Sequence, residues 1–175
     1  MSFDGEQRIV IVRTKDEDAA ASRARAGLRR IGDAPLLESP RTIGLRYEFG
    51  YGRTTPVGFA QLDAIVKLPW RRVGSGAKDV DIRVLPAGSL EAAARLVDDL
   101  RKKPRTLARL IARTCKGGDE PAYVSLKASV TTPDPDDADT DSARLAQIFM
   151  QLRRAIQRAI KQDQNVAVAI LVQGF

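Results

Sequence analysis

The residues best suited to chemistry lie between Arg101 and Lys116, in the run RKKPRTLARLIARTCK. It carries seven basic side chains (Arg101, Lys102, Lys103, Arg105, Arg109, Arg113 and Lys116) and no acid. Taking those seven from the 29 basic residues of the chain leaves 22, which the 22 acidic residues balance. The formal charge of +7 is therefore the charge of one segment. Arg105, Arg109 and Arg113 recur every fourth residue, so on a helix they form one stripe with about 6 Å between steps. That rise is comparable to the phosphate spacing of an extended nucleic-acid strand. Leu107, Leu110 and Ile111 supply the opposite, buried face. Such a helix would hold phosphates by charge, largely independently of base sequence and with marked sensitivity to salt. The same stripe also suits an acidic protein surface, or plain solvation. Arginine rather than lysine along it favours contact, because the planar guanidinium makes paired hydrogen bonds.

Other constellations offer less. Asp134, Asp136, Asp137, Asp139 and Asp141 form an acidic loop. Dense carboxylates can hold Ca²⁺ or Mg²⁺. The EF-hand pattern, however, needs glycine at its sixth position and glutamate at its twelfth, where this chain has Asp139 and Leu145. The loop reads as solvated, with its last acids complementing the start of the following helix, or as a surface for a basic patch on a neighbouring copy. Gly74-Ser-Gly-Ala-Lys78 has the residue types of a phosphate loop without its spacing, and reads as a hairpin turn. Cys115 is the only cysteine, which excludes an intramolecular disulfide and a cysteine-based zinc cage. It is expected to be a buried structural thiol. The chain has no histidine, which removes the commonest general base and the Ser-His and Cys-His nucleophile systems. No catalytic residue, metal site or cofactor is expected.

Aromatic residues concentrate in one stretch. Tyr47, Phe49 and Tyr51 share a face at a period of two, and Phe59 follows. Bases can stack on such a sheet face. The signature of the RNA-recognition motif is nevertheless absent. Gly58-Phe59-Ala60 is followed by Gln61 where an aromatic is needed, and no basic residue precedes Gly58. A core face is the better reading, with contact to another subunit as the alternative.

These residues need a frame. Arg8–Arg13 (RIVIVR) predicts a strand buried on both faces. Glu17–Ile31 predicts a helix with Ala20, Ala24, Gly27, Leu28 and Ile31 on one face, acids at its start and Gly32 at its stop. Residues 33–41 read as a loop. Thr42–Tyr51 and Ala60–Leu68 both alternate, and predict a hairpin with a long Gly/Thr/Pro tip. Val80–Val84 predicts a further strand. A helix capped by Ser89 runs to about Lys103, where Pro104 forces a break. The basic helix then covers residues 104–116. Pro121–Thr131 alternates as a strand. Ser142–Gln162 carries a full apolar stripe, Leu145 to Ile160, and predicts the longest helix. Val166–Val172 predicts a central strand.

The order β-α-β-β-β-α(α)-β-α-β predicts one α+β domain over residues 1–175, with a mixed or antiparallel sheet packed against helices in a loosely ferredoxin-like way. Segment 42–68 and loop 133–141 would protrude as contact arms, through Tyr47, Phe49, Tyr51, Asp136, Asp137 and Asp139. The function expected first is that of a non-catalytic structural subunit in a larger assembly, such as a virion, phage tail or ring-like scaffold. Its partners would be other protein subunits, chiefly copies of itself. The alternative is a DNA- or RNA-binding protein acting through Arg101, Lys102, Lys103, Arg105, Arg109, Arg113 and Lys116, within a ribonucleoprotein or alone. No apolar run is long enough to cross a membrane. The start, MSFDGEQ, is polar, so no secretory leader is expected. The expected location is the cytoplasm or an assembled particle.

Overall fold

A computed structural model describes residues 5–50, 56–73, 79–115 and 133–174. The elements, in chain order, are β1 (Gly5–Thr14), α1 (Glu17–Arg30), β2 (Leu36–Ser39), β3 (Thr42–Phe49), α2 (Phe59–Ile65), β4 (Arg71–Val73), β5 (Val80–Leu85), α3 (Leu90–Arg101), α4 (Pro104–Thr114), α5 (Asp141–Gln162) and β6 (Asn165–Gly174). The strands form one six-stranded sheet in the order β2-β3-β1-β6-β5-β4. Each of its five pairings is antiparallel. The first and last strands lie side by side at its centre, paired from Gly5↔Gly174 to Thr14↔Asn165. The protein is thus an α+β structure.

Two helical layers cover the sheet, and side-chain alternation in the central strands decides which layer each residue meets. In β1, Ile9 and Ile11 join the larger core with α2, α3, α4 and α5, whereas Val10 and Val12 lie under α1. In β6, Val166, Val168 and Ile170 face the larger core, and Ala167 and Ala169 face α1. The α1 side is built from small residues on both surfaces: Ala20, Ala24 and Gly27 of α1 are buried there. A Cβ added to Gly27 would lie 2.6 Å from Val10 Cγ1, so this glycine lets the helix sit close to the sheet. The Asp16 carboxylate caps α1 by accepting from the Asp18 N–H at 3.0 Å. Gly32, at φ +54°, turns the chain out of the helix.

Several sequence expectations are corrected. Residues 60–68 do not form a strand, and no hairpin spans 42–68. Phe59–Ile65 is a helix instead, and β3 pairs with β1 and β2. Phe59, Leu62 and Ile65 are its buried residues, a spacing that serves a helix as well as alternation serves a strand. The Gln61 side chain accepts from the Gly58 N–H at 2.7 Å and fixes the helix start. The expected loop 33–41 contains β2, paired Leu36↔Leu45 through Ser39↔Thr42. The Ser89 hydroxyl donates back to the Pro86 carbonyl at 2.8 Å and does not cap α3. The break at Pro104 is present, with Pro104 opening α4. The predicted strand 121–131, Gly74–Lys78 and Gly117-Gly118 lie outside the described residues.

Candidate functional site

Helix α4 rests on α2, α3 and α5. Leu107, Ala108 and Ile111 are its buried residues. This anchoring leaves Arg105, Arg109 and Arg113 exposed on the outside. Lys102 and Lys103, in the turn that joins α3 to α4, are exposed as well, while Arg101 is half-buried. The α4 N-terminus, with the positive end of its helix dipole, thus carries two further cations. Among the described residues, neither Arg109 nor Arg113 takes part in an ion pair. Lys116 lies outside the described residues.

The acidic loop is held by a different cation. Arg144, on the first turn of α5, is only 7 % exposed. Its Nε donates to the Ala138 carbonyl at 3.0 Å, and a terminal nitrogen donates to the Glu48 carbonyl at 2.8 Å. Its guanidinium carbon sits 5.4 Å from the centre of the Tyr47 ring. Burial pushes the Arg144 pKa down, against the opposing pull of Asp141, Tyr47 and Asp139. The Gln147 side chain also donates to the Asp134 carbonyl, at 2.7 Å. Asp136 and Asp139 are exposed and line a cleft of about 390 Å³ with Arg46, Tyr47, Glu48 and Arg144. Nothing is described of the Asp137 side chain. Among the described residues, no group of three or more His, Cys, Asp or Glu is placed to hold a metal ion.

This arrangement corrects the proposed aromatic contact arm. Tyr47 is 2 % exposed and belongs to the core, with its hydroxyl 2.7 Å from the Gln147 Oε1. Burial pushes its phenol pKa well above the ordinary tyrosine range. It therefore cannot serve as an assembly contact on the surface. Phe49 is half-buried, packed where a Cβ on Gly5 would meet its ring. Tyr51 lies outside the described residues. Phe59 is buried edge-on to Trp70, with ring centres 5.5 Å apart, and Arg83 stacks over it at 4.3 Å. Arg83 in turn pairs with Asp63 at 2.9 Å, tying α2 to β5. These aromatics form packing contacts rather than an open stacking platform. Cys115 is half-buried beside Ser142, and burial raises its pKa, so its thiol is protonated at neutral pH.

The sequence reading missed a second basic cluster. Arg13, Arg41, Arg154 and Arg158 line one cleft between the end of β1, the β2–β3 turn and α5. The i, i+4 spacing of Arg154 and Arg158 was the one available signal. Arg13 and Arg41 join them only through the tertiary fold.

Comparison with known proteins finds no matching family model, no matching curated protein and no matching solved structure.

Proposed function

We propose that this protein is a non-catalytic nucleic-acid-binding protein that contacts the phosphate backbone of a single strand through α4. The observation that carries the reading is the exposed row Arg105, Arg109 and Arg113, backed by the buried Leu107, Ala108 and Ile111. A buried face fixes the helix, so the three guanidinium groups are presented on a rigid element at one-turn intervals. Lys102 and Lys103 extend the positive surface towards the helix start. No aromatic of the described core is displayed for base stacking, so recognition would rest on charge and be largely independent of base sequence.

Fluorescence anisotropy with labelled single-stranded DNA and RNA at low salt tests this directly. Wild type binds both. The triple variant R105E/R109E/R113E, confirmed as folded by circular dichroism, binds neither. Undetectable binding by wild type at low salt refutes the reading.

A second reading is assembly. Asp136 and Asp139 are exposed, and α4 offers complementary charge, so the acidic loop of one copy can meet α4 of another. The native mass at high protein concentration decides it: a monomer removes this reading.

A further inference from the structure

The cleft described above has an unusual charge balance. Four arginines, Arg13, Arg41, Arg154 and Arg158, line it with a single carboxylate, Glu38. Arg13 is only 6 % exposed. One of its terminal nitrogens donates to the Gln164 Oε1 at 3.0 Å, and the other donates to the Pro40 carbonyl. A guanidinium has five N–H donors, so these two bonds leave donor capacity unused. The two bonds also fix the position of Arg13, because the Pro40 carbonyl belongs to the β2–β3 turn and Gln164 to the α5–β6 turn. Gln151 of α5 lines the same cleft and is 2 % exposed. Burial lowers the pKa of Arg13, and the charges of Arg158, Arg41 and Arg154 lower it further. Burial and Arg158 lower that of Arg154 too, with Glu38 working the other way.

Gathering like charges around a concave, partly buried site costs stability unless an anion occupies it. The open space is about 30 Å³. That is enough for one small group and too little for a nucleobase or a peptide side chain of any size. Guanidinium groups match the oxygen pairs of a tetrahedral oxyanion, and an amide can serve as a further donor.

We propose that this cleft binds a single phosphoryl group, held by Arg13, Arg41, Arg154 and Arg158 with Gln151 as an additional donor. The group is either free inorganic phosphate or the terminal phosphate of an oligonucleotide. The inference does not depend on α4, which contributes no residue to the cleft.

The test uses the full chain. Calorimetric titration with inorganic phosphate, at ionic strength matched with chloride, is the first arm. The second compares a 5′-phosphorylated oligonucleotide with its 5′-hydroxyl counterpart in the R105E/R109E/R113E background, which removes backbone binding by α4. The control variant is R41Q/R158Q. Both of its positions are exposed, and circular dichroism verifies its fold. Saturable phosphate binding that weakens by about tenfold or more for each guanidinium removed identifies a free-phosphate site. Preference for the 5′-phosphorylated strand, lost in the control variant, identifies a strand-end site. The proposal is overturned if neither ligand binds in preference to chloride, or if R41Q/R158Q binds as wild type does. Its failure leaves the α4 reading standing, because that reading is scored on backbone binding by variants of other residues.

Discussion

Replacing Arg144 with alanine should cost several kcal/mol of stability, about 3–4. The residue is only 7 % exposed, and its side chain makes two hydrogen bonds to main-chain carbonyls, Ala138 and Glu48. Hydrogen bonds from a charged donor contribute about 1.5–3 kcal/mol each. The adjoining cleft of about 390 Å³ lets water reach the freed carbonyls, which favours the lower end of that range. The stacking of the guanidinium over Tyr47 adds about 0.5–1 kcal/mol. The expected loss is about 3.5 kcal/mol. For a chain of this size that corresponds to a fall in Tm of about 7–14 °C. Arg144→Lys keeps the charge but cannot span both carbonyls with a planar fork, so about half the loss is expected. Urea unfolding followed by circular dichroism measures both variants, and an unchanged slope would show that the unfolded state is unaffected. R144A within about 0.5 kcal/mol of wild type would refute the reasoning. So would R144K equal to wild type, because the planar fork would then be irrelevant.

Four further outcomes follow from the packing and ionisation described. Gly27→Ala should destabilise by about 1–3 kcal/mol, because the new Cβ meets the stiff, buried Val10. The double variant G27A/V10A should lose less than the sum of the two single losses, and strict additivity would exclude the clash. Tyr47→Phe should cost about 1 kcal/mol at neutral pH through the lost bond to Gln147. The folded phenol has a pKa raised by burial, so its contribution is full below pH 10 and falls as the unfolded tyrosine ionises above that. The gap between wild type and Y47F should therefore shrink by about 1 kcal/mol between pH 9 and 11, and a gap that does not change with pH contradicts it.

Long periodic segments were legible in the sequence. The apolar stripe of α5, the small-residue face of α1 and the uninterrupted apolar run of β6 each admit one solution, and the Pro104 break follows from proline stereochemistry. Residues 60–68 were misread because a short segment can satisfy periods of 2 and 3.6 at once. The deciding signal was local, with Gln61 three residues after Gly58. β2 was unreadable because four residues between Pro35 and Pro40 acquire strand identity only by pairing with β3. The α4 stripe was visible, since helical spacing alone creates it. The composition of its buried face was only partly legible, because Ala108 rather than Leu110 is fully covered by α2, α3 and α5. The Arg13 cleft was hidden for a further reason: β1, the β2–β3 turn and α5 are distant in sequence and meet only in the folded sheet. The acidic loop looked like a counterpart to the basic helix. Its described anchor is Arg144, which nothing in the sequence pattern singles out.

The central claim is that α4 holds a phosphate backbone by charge. The most direct measurement is the salt dependence of single-stranded oligonucleotide binding by wild type and by R105A/R109A/R113A. Each single-strand phosphate contact contributes about 0.7 to the slope of log K against log salt, so losing three should flatten the slope by about 2. Between 50 and 200 mM salt the wild type should accordingly lose about 20-fold more affinity than the variant. An unchanged slope, with wild type and variant weakening in parallel, would contradict the account.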